Sequence, residues 1–448
     1  MIAPARTAAL HALRAVSAHR VDLPAALVHA RQRLTDDRDR ALTAEIVTGT
    51  LRWQRSLDYL IEHFARRPVA RLDADVLLIL RLSLYQLLHL DRVPASAVVD
   101  DAVDMTRGAQ KRSAAGFVNA VLREILRHRH RLPLPARPAD GSNPAAAVDY
   151  LGITHSHPDW LVSRWLDRYG LANAERWVQF NNDTPPLTIR ANRLRLTREE
   201  LAAALVQDEI ETEPTRYAPD GLTVRSGNPL TLPSTGSFVV QDEASQLVPL
   251  AVDVKPGMRV LDLCASPGGK TTEMAAALGD QGLIVASDVR PRRLRTLVDT
   301  VRASGADRVR VMQVPAEGTL PFRPIFDRIL VDAPCSGLGT VRRDPDIRWR
   351  RRESEIMEMG TRQVELLLRA AAVLAPGGRL VYATCSSEPE ENEAVVQRVL
   401  EREPRLTLIN LRGSSPVLDG LIDGGGMMRT LPFAHGLEAF FAAAMTRR

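Results

Sequence analysis

The amino-acid sequence predicts a multidomain protein with an all-α N-terminal domain, a small α+β module and a C-terminal α/β domain built on a doubly wound sheet. Its length of 448 residues leaves room for about three domains at roughly 150 residues each. Apolar residues follow a helical period over residues 1–130, whereas short β-branched runs alternate with helical segments beyond residue 236. The helical period is typical of an all-helical fold. The alternation of β-branched runs with helices is typical of a parallel sheet covered by helices.

The N-terminal 130 residues predict the all-helical domain. Arg6 and Arg14 interrupt the opening residues before an apolar run can form, so these residues predict an amphipathic helix rather than a secretion signal. Residues 73–90 are apolar nearly all round, which predicts the central buried helix of the domain.

The amino-acid composition changes after the helical domain. Residues 131–148 contain four prolines together with glycine and serine, and this composition predicts a linker. Residues 149–235 mix helical patterns with short strand-like runs, so we expect a small α+β bridging module there. From 236 to 448 five β-branched runs alternate with helices. In a doubly wound sheet of this kind ligands bind outside the carboxyl ends of the strands.

The first strand of the α/β domain ends at Asp262 and leads into a glycine-rich loop, Leu263 to Thr271. Cys264 stands where a phosphate-binding P-loop needs its first glycine, and only Gly268 and Gly269 are available for a dinucleotide motif. A plain tight turn stays open as an alternative. Asp288 ends the next strand about 20 residues further on, where an acid can accept hydrogen bonds from a ribose. Together these features favour an adenosine-bearing cofactor.

All three cysteines, Cys264, Cys335 and Cys385, follow the carboxyl ends of predicted strands. None of their spacings matches a zinc motif, so the sequence implies no metal, and their odd number makes a disulfide framework a poor fit. Lone cysteines are often small buried hydrophobic residues. A thiolate close to Asp332, however, suits covalent catalysis on an electron-poor ring.

Charge and composition limit the possible partners. With 45% hydrophobic and 25% charged residues, the chain fits neither a disordered nor a fibrous class, and its apolar runs are too short for a membrane span. The net charge is +5, and lysine occurs only at 111, 255 and 270. The arginine excess reflects either codon usage or phosphate recognition. Since residues 1–130 carry 20 basic and 14 acidic side chains, an anionic partner is expected there.

A second arginine cluster follows the Cys335 segment. It contains Arg342, Arg343 and Arg348, with Trp349 beside them. We expect these residues to contact RNA phosphates and to stack on a base; a solvated helix start is the alternative. His155 and His157 also suggest a metal, but no further ligand is evident, and structural or RNA-contacting roles are favoured.

Three motifs resemble those of a known family. LDLCASPGGKT (261–271), VDAPCSG (331–337) and YATCSSEPEEN (382–392) look like motifs of the RNA cytosine-5 methyltransferases that use S-adenosylmethionine, the Sun/NOL1/NOP2 group. Segments 238–247 and 339–351 and the C-terminal residues resemble the bacterial branch called RsmB, which methylates small-subunit ribosomal RNA. Segments 44–61, 80–103 and 114–126 resemble its helical NusB-like RNA-binding domain.

The resemblance implies a Rossmann-like methyltransferase domain over 236–448 and a NusB-like domain over 1–130. It implies that Cys385 is the nucleophile at ring carbon 6 of cytosine, that Cys335 assists release of the product and that Asp332 lies beside base and cofactor. The residues alone do not rank the two cysteines. The cofactor site comprises Cys264, Ala265, Ser266, Pro267, Gly268, Gly269, Lys270, Asp288 and Asp332.

One position departs from the family pattern. An aspartate near the adenine is usual after the third strand, where this chain has Pro315 and Ala316; Glu317 or a backbone amide is the expected substitute. We expect a cytoplasmic monomer that acts on ribosomal RNA. Methylation of transfer RNA, and a non-catalytic role as an RNA-binding assembly or antitermination factor, are the alternatives.

Overall fold

The computed structural model describes residues 2–139, 143–233 and 236–448. The chain divides into two compact units. The N-terminal unit comprises the residues up to Asp183 together with Val341–Glu353, and the C-terminal unit comprises Thr184–Thr340 together with Ser354–Arg448. None of the helices in the described ranges is long and apolar enough to cross a membrane.

Helices form the N-terminal unit, as the sequence predicts. Asp73 caps the central helix through hydrogen bonds to the backbone N–H groups of Asp75 and Val76. The helix is buried along most of its length, and Ile79, Leu80, Leu82 and Leu84 have no exposed surface. The helices are α1 Pro4–Ser17, α2 Leu23–Gln32, α3 Asp37–Arg52, α4 Gln54–Ala65, α5 Ala74–His89, α6 Ala95–Gly108, α7 Ala115–Arg127, α8 Pro144–Asp149 and α9 Asp159–Asn182.

The boundaries predicted between the domains differ from the division by packing. Within the predicted linker 131–148, Leu132 and Leu134 pack against the helical core, and α8 begins at Pro144. Residues 140–142 of that linker lie outside the described residues. The predicted module 149–235 is shared between the units, because α9 belongs to the N-terminal one; its last two residues also lie outside the description. Composition shows where the proline-rich segments lie in the chain. It does not show against which hydrophobic core these segments pack.

A small antiparallel sheet opens the C-terminal unit. Its strand order is β2-β3-β1-β4, and every pairing along it is antiparallel. Ile189, Leu201, Leu205 and Leu222 bury one face of the sheet against its helix. The elements are β1 Thr188–Ala191, α10 Arg198–Gln207, β2 Glu211–Pro214, β3 Gly221–Ser226 and β4 Phe238–Val240.

The large sheet has the order β10-β12-β9-β8-β5-β6-β7, with β11 paired to β12. The five predicted strands are β5 to β9 and are parallel, which confirms the doubly wound fold, and β12 joins them antiparallel to β9. The elements are α11 Glu243–Val252, β5 Arg259–Asp262, α12 Gly269–Leu278, β6 Leu283–Asp288, α13 Pro291–Ser304, β7 Val309–Gln313, β8 Phe326–Asp332, α14 Ile347–Arg350, which lies in the N-terminal unit, α15 Ser354–Ala372, β9 Leu374–Thr384, α16 Glu393–Arg402, β10 Leu406–Ile409, β11 Met428–Arg429, α17 Pro432–His435 and β12 Phe441–Arg447.

Alternate residues of the central strands bury both faces of this sheet. Leu330 and Val381 belong to the core on one face, and Ile329 and Leu380 to the core on the other, as expected for strands covered by helices on two sides. Since β5, β8 and β9 are neighbouring parallel strands, their carboxyl ends meet at one edge. That edge carries the residues predicted to be functional.

Candidate active site

The glycine-rich loop between β5 and α12 is fixed by backbone hydrogen bonds to the neighbouring strands. The N–H of Leu263 donates to the carbonyl of Leu330 at 3.0 Å, and that of Ala265 to the carbonyl of Ser287 at 2.9 Å. Gly268 has φ 110°, and a Cβ there would lie 2.9 Å from Leu297. Glycine is therefore required at this position, which lets the helix N-terminus approach a ligand.

Asp262 lies beneath this loop and is 1% exposed. Its Oδ2 accepts a hydrogen bond from Thr271 Oγ1 at 2.7 Å, whereas its buried Oδ1 has no hydrogen-bond partner among the described residues. Burial raises the pKa of Asp262 to about 7, against the opposing hydrogen bond from Thr271. An unsatisfied buried acceptor fits a ligand that brings its own donor, such as the ammonium group of an amino acid.

Asp288 and Cys264 occupy the positions expected from the sequence. Asp288 is 4% exposed, and its Oδ1 accepts the N–H of Arg290 at 3.0 Å. Cys264 packs at the border of the hydrophobic core, and burial raises the pKa of its thiol. A neutral thiol is a poor nucleophile, so Cys264 is suited to a structural role.

Arg369 on α15 organises the loop at the predicted adenine side. Its guanidinium donates to the carbonyls of Pro315 at 2.7 Å, Ala316 at 2.7 Å and Gly318 at 2.6 Å. Glu317, the expected substitute for the missing aspartate, is exposed. The conformation of this loop is thus set by an arginine that the sequence analysis did not single out.

Cys335 and Cys385 come together at the carboxyl ends of β8 and β9. Their Sγ atoms are 3.4 Å apart, because Asp332 and Ala383 are partners in the parallel register of the two strands. The contact with Cys335, together with the positive charge of Lys270, lowers the pKa of Cys385 in spite of burial. The same contact, together with burial, raises the pKa of Cys335. The two shifts favour Cys335 as the donor and Cys385 as the acceptor of this contact.

Lys270 and Asp332 form an ion pair beside the two cysteines. The distance from Lys270 Nζ to Asp332 Oδ2 is 2.7 Å, and Nζ lies 5.5 Å from the centroid of the Phe440 ring. Burial opposes the charge of Lys270, but the carboxylate of Asp332 outweighs it and raises the pKa of Lys270. The site thus holds a permanent cation between the cofactor loop and the thiol pair.

Two buried polar residues behind the cysteines were missed from the sequence. Glu391 follows β9 in a short turn, and Gln363 lies on α15; both are 2% exposed or less. Gln363 shares the buried face of α15 with Gly360, Val364 and Leu367. This helical spacing is the signal that could have identified Gln363. Glu391 lies in the acidic run 388–391 and is not part of a helical pattern.

Arg348 requires a correction. It was expected to contact RNA, but it has no exposed surface. Its guanidinium donates to the carbonyl of Ser156 at 2.8 Å and to Asn182 Oδ1 at 3.1 Å. The indole N–H of Trp349 donates to the carbonyl of Leu51 at 2.6 Å. A guanidinium whose donors are used inside the N-terminal unit is an anchor for this segment rather than a phosphate ligand.

Arg342 and Arg343 are partly exposed in the same segment, and Arg342 lies 4.2 Å from the centroid of the Phe180 ring. His157 has no exposed surface; its Nδ1 donates to the carbonyl of His155 at 2.7 Å, and burial lowers its pKa. His157 is therefore structural. No cluster of three or more side chains suited to hold a metal occurs in the described ranges.

A strand, glycine-rich loop and helix lie beside two strand-end cysteines on a doubly wound sheet, which is the arrangement that the sequence motifs predict for a Rossmann-like methyltransferase domain. The sequence matches the profile of the family described as 16S rRNA methyltransferase RsmB/F over residues 249–446, that of the NusB family over 3–127, and the ferredoxin-like domain of RsmF/B-like methyltransferases over 157–231. The chain belongs to the 16S rRNA methyltransferase RsmB/F family.

Relatives and solved structures agree over most of the chain. Ribosomal RNA small subunit methyltransferase B of Pseudomonas putida is 34% identical over 406 residues, 89% of each chain. The protein of the same name from Salmonella arizonae is 32% identical over 424 residues, 93% of this chain and 92% of its own. The crystal structure titled PH0851 superposes with a TM-score of 0.82 at 28% identity and covers 100% of this chain and 99% of its own. These matches confirm the predicted methyltransferase.

Proposed function

We propose that this methyltransferase modifies carbon 5 of a cytosine in small-subunit ribosomal RNA through a covalent adduct between Cys385 and ring carbon 6. The observation that carries the proposal is the thiol pair. Cys385 has a lowered pKa, lies 3.4 Å from the thiol of Cys335, whose pKa is raised, and is close to the Lys270–Asp332 ion pair. An activated thiolate beside a fixed carboxylate suits addition to a ring that is otherwise unreactive.

The chain provides a site that fits S-adenosylmethionine. The unpartnered Oδ1 of Asp262 and the loop from Cys264 to Lys270 would hold its methionine part, and Asp288 its ribose. When bound, this cofactor supplies an electrophilic methyl group on a sulfonium. The backbone around Pro315, which Arg369 holds in place, would lie along the adenine.

The covalent step balances as follows. The thiolate of Cys385 forms a bond to carbon 6, and the electron pair of the ring double bond moves to carbon 5. Carbon 5 then takes the methyl group, which would leave the sulfonium of the bound cofactor with the bonding electron pair remaining on sulfur. A solvent molecule takes the proton of carbon 5, and the electrons of the broken C–H bond restore the double bond as Cys385 departs. The sulfur of Cys335 lies 3.4 Å from the sulfur that must leave, and an S–H there would stabilise the departing thiolate. This position accounts for a role of Cys335 in product release.

RNA is the expected partner of the N-terminal unit, which matches the NusB family. The partly exposed Arg342 and Arg343 are its proposed phosphate contacts, and Trp349 the proposed aromatic contact. We place the protein in the cytoplasm as a monomer together with its ribosomal substrate. Transfer RNA as the substrate is the second candidate, since the same site would serve it.

The test is transfer of labelled methyl groups from S-adenosylmethionine to unmodified small-subunit ribosomal RNA, with mapping of the product at single-nucleotide resolution. We expect one 5-methylcytosine, no product from Cys385→Ala, and an accumulated protein–RNA adduct with Cys335→Ala. Binding of the cofactor to both variants is the control and should be unchanged.

Other results would change the assignment. Label in transfer RNA alone would support the proposed chemistry but would identify transfer RNA, and not ribosomal RNA, as the substrate. Free, fully methylated RNA released at the normal rate by Cys335→Ala would contradict the role of Cys335. Absence of label from both RNAs would support a non-catalytic RNA-binding factor.

A further inference from the structure

A single buried carboxylate joins the two loops that carry the cysteines. Glu391 has no exposed surface. It accepts the backbone N–H of Ser336 at 2.8 Å and the hydroxyl of Ser336 at 2.5 Å, and the hydroxyl of Ser386 at 2.5 Å. Ser336 follows Cys335 and Ser386 follows Cys385 in the chain. Glu391 therefore binds the residue next to each cysteine.

Gln363 extends this bridge. Its Nε2 donates to Glu391 Oε1 at 3.1 Å and to the carbonyl of Pro334 at 3.0 Å, so the residue before Cys335 is also held. The hydroxyl of Tyr382 donates to Gln363 Oε1 at 2.9 Å. Every one of these side chains is buried, and the network thus fixes the Cys335 loop on both sides of the cysteine.

The energetics favour a rigid arrangement. Hydrogen bonds to an ionised carboxylate are shorter and stronger than neutral ones, and a dry interior strengthens them further. Leaving the serine N–H and hydroxyl groups without an acceptor would cost the desolvation free energy of each group. The two loops therefore have one favourable relative position, which is the position that brings the sulfurs to 3.4 Å.

We infer that Glu391 is a positioning residue, which holds the Cys335 and Cys385 loops in the register that places their sulfurs in contact. The expected effect of Glu391 on methyl transfer rests on the proposed function. The register itself can be measured without substrate. Loss of the register should move the two sulfurs apart from their 3.4 Å contact and slow their joining to a disulfide.

The experiment uses the full chain with Glu391→Gln and Glu391→Ala; Glu401→Gln, an exposed carboxylate on α16, is the matched control. Oxidation by diamide, followed by peptide mass spectrometry, measures the rate at which the Cys335–Cys385 disulfide forms. We expect disulfide formation to slow about tenfold in the Glu391 variants and to be unchanged in Glu401→Gln. In addition, kcat should fall about 100-fold with KM for cofactor and RNA within twofold.

A disulfide rate equal to that of the unmodified protein would overturn the inference, whatever happens to methyl transfer. If Glu391→Ala does not fold, Glu391→Gln decides, because it preserves the shape of the side chain and removes an acceptor. Failure of the proposed function would appear differently, as absence of methylation by the unmodified protein while the thiol measurements still separate the variants.

Discussion

At the predicted adenine side of the cofactor site, Arg369 holds the loop in which the family usually has an aspartate and for which Glu317 or a backbone amide was the expected substitute. One guanidinium binds three carbonyl groups of the loop after β7, so the form of the loop is fixed by a residue outside it. Residues that fix a loop before binding lower the entropy lost on binding.

We predict that Arg369→Met weakens binding of S-adenosylmethionine about tenfold, or about 1.4 kcal/mol, because the loop must then be ordered by the ligand. Isothermal titration calorimetry measures this effect. Arg362→Met is the control, since Arg362 lies on the same helix and is paired with Glu358 at the surface. Equal affinities for the two variants would show that the loop does not contribute to binding.

The residues predicted from the sequence share a property that Arg369 and Glu391 lack. Asp288 and Asp332 end strands of strong β-branched character, so their local sequence places them at the carboxyl edge of the sheet. Arg369 and Glu391 act through carbonyl and hydroxyl groups that are 5–55 residues away in the chain. Such partners are set by the packing of α15 and the turn after β9, and local periodicity does not contain that information.

At the scale of elements, the segment Val341–Glu353 fills a place in the core of the N-terminal unit. Arg52 Nη2 donates to the carbonyl of Arg342 at 3.1 Å, and Arg348 inserts among Ser156, Asn181 and Asn182. The arginine-rich sequence was interpreted as an RNA-contacting surface, because a charged run gives no indication that its central guanidinium is buried.

We predict that Arg348→Ala lowers the free energy of unfolding of the N-terminal unit by about 3 kcal/mol, since it leaves a cavity and unsatisfied buried carbonyl groups. Urea denaturation followed by tryptophan fluorescence measures this effect selectively, because all five tryptophans lie in the N-terminal unit. The exposed Arg352 provides the control: Arg352→Ala should change stability by less than about 0.5 kcal/mol. Equal midpoints would refute the anchoring role of Arg348.

At the scale of the whole molecule, the net charge of +5 makes the strength of RNA binding depend on salt. Each phosphate contact releases a counterion and steepens the fall of log K against log salt. We predict that the double variant Arg342→Gln and Arg343→Gln reduces this slope by roughly 1 to 2. Filter binding at several salt concentrations measures it, with Arg402→Gln on α16 as the control. An unchanged slope would remove both arginines from the RNA interface.

The sequence predicted the helical domain and the doubly wound sheet. It did not predict which segments make up the two compact units. The helical period identified α5 as a central buried helix, and alternating β-branched runs identified β5 to β9. Both signals are local and repeat along the chain. The assignment of α9 and of Val341–Glu353 to the N-terminal unit depends on contacts such as that between Trp349 and Leu51, 298 residues apart.

The position of Val341–Glu353 has a consequence for synthesis on the ribosome. Most N-terminal domains can complete their cores while the rest of the chain is still being made. Here the groups that receive Arg348 are made early, but Arg348 itself follows only after β5 to β8 have been translated. The N-terminal unit must therefore wait, with a buried site unfilled, until four of the eight described strands of the large sheet have been made. The two units then complete their folding in an overlapping order rather than one after the other.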